Sequence, residues 1–145
     1  MRDRRGARSS VLIARWQRIT HHLLLALDAE LTDLRLSAAE TNVLGCLAET
    51  RGRPVRELVA ATAQRPSTLT GVLDRLERRG LVERRPNRAD RRSTVIVLTE
   101  SGGTAARRVA AAFEHVAARI PPDTAADIDR VLEALERTLG APAAE

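Results

Sequence analysis

Apolar residues recur every three or four positions from Ser10 to about Leu31: Leu12, Trp16, Ile19, Leu23, Leu27 and Leu31. That period predicts one long helix with a single buried face. A second helix is expected from "LRLSAAETNVLGCLAET". Ser37 and Glu40 stand there at capping-box spacing, with Leu36 before them and Val43, Leu44 and Leu47 behind. "RGRP" is a break, and Pro54 suits the start of a short third helix, "VRELVAA". After the turn "TAQRP", Pro66 suits the start of a fourth, "PSTLTGVLDRLERRG". Its stripe is Leu69, Val72, Leu73 and Leu76, and Gly80 is its stop.

Beyond Gly80 the period changes. "LVERR" reads as a short strand, "PNRADRR" carries turn residues, and "STVIVLT" is β-branched and apolar, as a strand requires. The two strands make a hairpin with a long arginine-rich tip. Helix returns from about Thr99 and runs to Pro121-Pro122. A last helix, capped by Asp123 or Thr124, carries the stripe Ile128, Val131, Leu132, Leu135 and Leu139 and closes at Gly140.

The fold class expected is mainly α with a small β-hairpin wing: a winged helix-turn-helix over 34–102, flanked by helices at 1–33 and 103–145. The flanking helices have long apolar stripes and no cover of matching size within one small domain. A second copy of the chain is the simplest cover, so residues 1–33 and 103–145 are expected to form a dimerisation region.

At 145 residues the chain is long enough for one domain with appendages and a core that needs no staples. Cys46 is the one cysteine, which excludes an internal disulfide and a multi-thiolate metal site. The basic N-terminus is followed by no apolar signal core, and no stretch approaches the roughly 18 apolar residues of a membrane span. A cytoplasmic protein with no membrane association is the expectation.

Charge adds the chemistry. The net charge is +5, and every cation is arginine because the sequence has no lysine. GC-rich coding accounts for much of that choice, but not for the placement. Between Asp74 and Arg92, eight arginines meet four acids, a local excess of four that is nearly the whole of the net charge. Such a patch is an electrostatic footprint for nucleic acid. With Trp16 and Phe113 as the whole aromatic complement, there is no stacking platform for unpaired bases, so double-stranded DNA is the expected partner.

The stretch "DRRSTVIVLTESG" places Asp90, Arg92, Leu98, Thr99 and Gly102 at D-x-R, x5-L-T, x2-G spacing. "PSTLTGVLDRLERRGLVERR" carries T-x-x-x-D-R-L-E-x-x-G-L-V. In these motifs, and in "LRLSAAETNVLGCLA", the chain resembles a MarR-family transcriptional regulator. The resemblance runs from about Leu23 to Gly103 by motif and over the remainder by helix order.

It implies a homodimer that binds a pseudo-palindromic operator, usually as a repressor, with a recognition helix in the major groove and the wing at the flanking minor groove. By position, Ser67, Thr68 and Thr70 stand near the exposed start of the recognition helix. Arg65 just precedes it, and Arg75 is a phosphate contact. Gly71 departs from the family, many of whose members place a larger polar or basic side chain there. Arg92 is the wing arginine directed at the minor groove, where negative potential is enhanced, with Asp90 holding its rotamer. Arg84, Arg85, Arg88 and Arg91 are further phosphate candidates. Arg78 and Arg79 suit the helix C-terminus by its dipole. Many relatives bind small molecules between the dimerising helices and the winged domain, and Arg15, Trp16 and His22 are the candidates here.

His21 and His22 are adjacent and do not share a helix face, Cys46 reads as core, and "SGGT" reads as a strand-to-helix turn. The family's peroxide-sensing branch uses an early cysteine with nearby tyrosines, which this chain lacks. No cofactor is implied. No H-E-x-x-H, G-x-S-x-G or G-K-[ST] motif points to an enzyme. The reading from another class is a winged helix used for protein interaction without specific DNA binding.

Overall fold

A computed structural model describes the backbone of residues 3–139 and the side chains from Ser10 onward. The order is α1 (Asp3–Leu31), a 3-10 turn (Thr32–Leu34), α2 (Ala38–Ala48), β1 (Arg53–Pro54), α3 (Val55–Thr62), α4 (Pro66–Arg78), β2 (Val82–Pro86), β3 (Thr94–Leu98), α5 (Glu100–Ala117) and α6 (Pro122–Leu139). Helix α1 begins well before Ser10, where its apolar stripe starts. Helix α6 begins at Pro122, one residue ahead of the expected caps. Gly140, expected to close α6, lies outside the described residues.

Local chemistry sets the boundaries. Ser37 Oγ accepts from the Glu40 N–H at 3.3 Å, and Glu40 Oε2 accepts from the Ser37 N–H at 2.8 Å, which closes the capping box of α2. Pro66 occupies the first turn of α4, where its missing N–H costs no helical bond. Gly80 follows α4 at φ 67°, a conformation that costs a residue with a Cβ.

The sheet is antiparallel in the order β1-β3-β2. Arg84 pairs with Ile96 in the hairpin, and Arg53 pairs with Ile96 from the other side. The expected break at "RGRP" is therefore also a strand. Two residues carry too little pattern to announce themselves, and Pro54 is tolerated because this strand lies at the sheet edge.

The core fills the space between α2, α4, the sheet and α5. Val43, Leu44, Leu47, Leu58, Leu69, Val72, Leu76, Ile96 and Val109 are fully buried. Each stabilises the fold by about 1.5–3 kcal/mol relative to exposure. The stripes of α1 and α6 stand outside this core. Leu12, Trp16, Ile19 and Leu23 on α1 are exposed, as are Ile128, Val131, Leu132 and Leu139 on α6. Only the C-terminal end of the α1 stripe joins the core, through buried Leu31 and the partly buried Leu27.

The L-T-x-x-G run is a structural lock. Thr99 Oγ1 accepts from the Gly102 N–H at 3.0 Å and donates to the Gly80 carbonyl at 2.6 Å. Ser101 Oγ donates to the same carbonyl at 2.9 Å. Gly102, expected in a strand-to-helix turn, lies within the first turn of α5. A Cβ there would stand 1.7 Å from the Leu81 carbonyl oxygen, so the residue is glycine because two backbones meet.

Candidate nucleic-acid interface

Helix α4 presents its two sides to different surroundings. Leu69, Val72, Leu73 and Leu76 face the core, while Ser67, Thr70 and Asp74 are exposed. Arg65 is exposed at the N-cap position, its side chain making no cap hydrogen bond. Thr70 Oγ1 donates to the Pro66 carbonyl at 2.9 Å, which holds the hydroxyl close to the helix. Thr68 is exposed as well and lines a cavity toward α1 and α2. At Gly71 no side chain projects at all.

The arginines of the wing divide into two sets. Those at the base of the strands are engaged inside the protein. Arg84 donates to Asp74 Oδ1 at 2.5 Å and to Glu77, both on α4. Burial works hardest against its charge. The hydrogen bonds and charges of Asp74 and Glu77 outweigh that and leave the guanidinium pKa raised. Arg84, expected at a phosphate, is thus a strap between wing and α4. Arg85 meets Glu83 at 2.8 Å, a pair exposed on both sides and worth at most about 1 kcal/mol.

The tip differs. Among the described residues no carboxylate lies within ion-pair distance of Arg88, Arg91 or Arg92, and all three are exposed. The backbone beneath them is well tied. Asn87 and Ser93 close the loop, N–H to carbonyl at 3.0 Å and Nδ2 to Oγ at 2.8 Å. Asn87 Oδ1 accepts from the Ala89 N–H at 3.0 Å. Asp90 Oδ1 accepts from the Arg92 N–H, also at 3.0 Å, and the Asp90 carbonyl receives the Ser93 N–H at 2.9 Å.

Asp90 therefore does not hold the Arg92 guanidinium, as the D-x-R spacing suggested. The tip is a turn rather than an extended strand, and a short carboxylate in a turn satisfies the backbone amide two residues on. Asp90 shapes the loop, and among the described residues the Arg92 side chain has no ion-pair partner.

Arg75 is likewise engaged inside the protein. Its Nε lies 3.5 Å from Glu40 Oε1 on α2, while the side chain stays half exposed. Arg79 reaches the same Glu40 and donates to the carbonyls of Leu34 and Arg35 at 2.6 and 3.1 Å. The expected dipole role of Arg79 at the end of α4 is thus joined by a tie to the turn after α1. The capping box announced Glu40, but its second duty across 35 residues of sequence had no local signal.

A cavity of about 610 Å³ opens between α1, α2 and the α3–α4 turn, lined by Leu24, Leu31, Leu36, Gln64, Thr68 and Phe113 among others. His21 lines it. Of the expected ligand residues, His22 and Arg15 do not, because they lie on other faces of α1. Trp16 lines a separate groove with Ala60, Leu132 and Leu139. Cys46 is half-buried, and that burial pushes its thiol up. Among the described residues no helix is long and apolar enough to cross a membrane.

The chain is similar to known proteins. The model of the MarR family matches residues 36–94, from the start of α2 through the wing tip. The chain is 41% identical over 95 residues to the HTH-type transcriptional regulator PecS of Dickeya dadantii (strain 3937), a match covering 63% of this chain and 55% of PecS. The chain thus spans about half the length of that relative. Its fold superposes on AbsC, a MarR family transcriptional regulator from Streptomyces coelicolor, with TM-score 0.79 and 24% identity, covering 92% of this chain and 95% of AbsC. Reduced AbfR, solved bound to DNA, matches with TM-score 0.76 and 24% identity, covering 97% of each chain. At that identity the two structures speak to the fold alone.

Proposed function

We propose, from the match of residues 36–94 to the MarR family and the similarity to PecS, that the chain is a MarR-family, sequence-specific regulator of transcription that binds double-stranded DNA as a homodimer, represses, and is released by a small-molecule or stress signal. One observation carries the reading: three exposed arginines, Arg88, Arg91 and Arg92, stand without acidic partners among the described residues, on a wing whose backbone is hydrogen-bonded into shape. Like charges gathered on a tied loop are relieved by an external anion, and DNA phosphate supplies it at regular spacing.

In this reading α4 enters the major groove N-terminus first. Arg65, Ser67, Thr68 and Thr70 meet base edges or the phosphates beside them. Arg75, steadied by Glu40, and Arg85 meet backbone. Arg92 enters the flanking minor groove between Arg88 and Arg91. Residues 34–102 act as the DNA-binding domain, with 1–33 and 103–145 as the dimerising region. The uncovered stripes of α1 and α6 support a two-fold pair, which sets half-sites about 10 bp apart. The cavity between α1, α2 and the α3–α4 turn supports an effector site there, since anything filling it touches both the flanking helix and the start of α4.

Footprinting on the DNA flanking the chain's own gene tests this. Two-fold symmetric protection, with affinity falling steeply as salt rises, is expected. Binding indifferent to salt and sequence would favour a protein-interaction module instead.

A further inference from the structure

On the outward face of α4, Ser67, Thr70, Gly71 and Asp74 lie opposite the buried stripe of Leu69, Val72, Leu73 and Leu76. Two of these outward residues have polar groups already engaged inside the protein. Asp74 Oδ1 accepts from Arg84 at 2.5 Å. The one hydroxyl hydrogen of Thr70 goes to the Pro66 carbonyl at 2.9 Å. For an outward contact Thr70 is left with its methyl group and an oxygen that can accept.

Gly71 stands in the middle of that face. Outside the helix backbone, a Cβ there would meet Arg75 Nη1 at 3.7 Å, an ordinary contact distance, and no other atom within 4 Å. Packing therefore does not require glycine, and glycine inside a helix is less stable than alanine. The bare position removes the side chain that would hold α4 away from a surface laid against it. A side chain as short as threonine reaches a base edge only from a helix seated that closely.

The edges of the four bases discriminate among contacts of this kind. In the major groove guanine offers two acceptors, met most often by arginine or lysine, and adenine is met by asparagine or glutamine. Residues 66–74 contain none of these four types. Thymine carries a C5-methyl group, which apolar contact recognises. Thr70 does not donate to guanine while Pro66 holds its hydrogen, whereas its methyl suits thymine. Ser67 has a hydroxyl that can both give and receive, so it does not choose a base by itself.

We infer that the Thr70 methyl packs on the C5-methyl of a thymine in each half-site and so selects an A·T pair there, with Gly71 letting α4 seat deeply enough for the contact. The inference rests on reading α4 as the helix in the major groove.

Selection from a randomised double-stranded DNA pool by the full chain gives the preferred site. That site is then resynthesised with deoxyuridine in place of one thymidine at a time, which removes the methyl and nothing else. One thymine in each half-site is expected at which the change weakens binding about fourfold, the effect of burying one methyl. Thr70→Ser, which keeps the hydroxyl and loses the methyl, should bind the thymidine and deoxyuridine sites equally, while Thr70→Val should keep the preference. Gly71→Gln should erase the preference without lowering the melting temperature. Deoxyuridine tolerated at every position of a selected site overturns the inference and leaves the functional reading standing. A preference that survives Thr70→Ser or Gly71→Gln overturns the role given to that residue. A pool from which no sequence is enriched sinks the functional reading and the inference with it.

Discussion

Glu40 Oε1 lies 3.5 Å from Arg75 Nε, so the acid that caps α2 is also the counter-ion of the helix proposed to read DNA. The carboxylate is nearly buried and serves Arg75, Arg79 and the Ser37 N–H together. Glu40→Gln keeps an oxygen for the cap and removes the charge. Stability should fall by about 1–2 kcal/mol in urea unfolding, since hydrogen bonds to charged groups exceed neutral ones by roughly that much. An unchanged midpoint would mean that the arginines are held by other contacts.

Asp90 separates two explanations of one motif. Its Oδ1 accepts from the Arg92 backbone N–H, a bond that asparagine reproduces and alanine does not. Asp90→Asn should therefore bind operator at least as tightly as the parent, having lost an acid beside phosphate. Asp90→Ala should bind more weakly, because the turn loosens. Equal weakening by both substitutions would restore a charge-based hold on Arg92.

The two sets of wing arginines should fail differently. Arg92→Ala, Arg88→Ala and Arg91→Ala should leave the melting temperature unchanged and each reduce the salt slope of DNA binding by about one. Arg84→Ala should lower stability by about 1 kcal/mol, because Asp74 and Glu77 lose their shared partner. Thermal melts beside salt-dependent titrations tell the sets apart. A stability loss at Arg92 matching that at Arg84 would contradict the division.

Gly102→Ala tests the lock between α5 and the corner after α4. Its Cβ would meet backbone, at 1.7 Å from the Leu81 carbonyl oxygen, and backbone cannot swing aside as a side-chain tip can. A loss of about 3 kcal/mol or more is expected, seen as a collapsed melting temperature. Gly103→Ala is the control, since the nearest atom there is the tip of Arg107 at 3.5 Å.

Asp33 and Arg108 join the turn after α1 to α5, with bonds of 2.5 and 2.8 Å. The Arg108 hydrogen bond holds the Asp33 carboxyl below its usual 3.8. The contribution is present above that ordinary value and is lost as pH falls through the lower folded pKa. Asp33→Asn should lose stability at neutral pH and flatten the acid limb of the pH–stability curve. An acid limb identical to the parent's would place the acid sensitivity elsewhere.

α1, α2, α4 and α6 were legible in the sequence because apolar residues recur at helical spacing through each, while α3 and α5 were placed by the breaks and prolines around them. Ser37 with Glu40, Pro66 and Gly80 then placed boundaries with side-chain chemistry that works locally. The hairpin was legible from its change of period. Less visible was anything made by distant residues. Strand β1 is two residues long. The Arg84 strap depends on acids seven and ten positions back, brought near only by the corner at Gly80. The cavity draws Gln64 from one turn, Phe113 from α5 and His21, not His22, from α1, and no spacing within a segment announces such a set. A D-x-R pair reads alike whether the acid meets a guanidinium or an amide, so the role of Asp90 needed the shape of the loop.

The ring closed by Asn87 and Ser93 gives the wing tip an unusual independence. Side chains at 88, 91 and 92 hang outside a loop whose form is kept by Asn87, Asp90 and Ser93. Exchanging them should cost folding little, because exposed positions away from such ties tolerate change within about 0.5 kcal/mol. Three letters of the chain are thus open to revision while their frame is inherited intact. A lineage that changes them can try new surface chemistry one substitution at a time, with no folding defect to repair between trials.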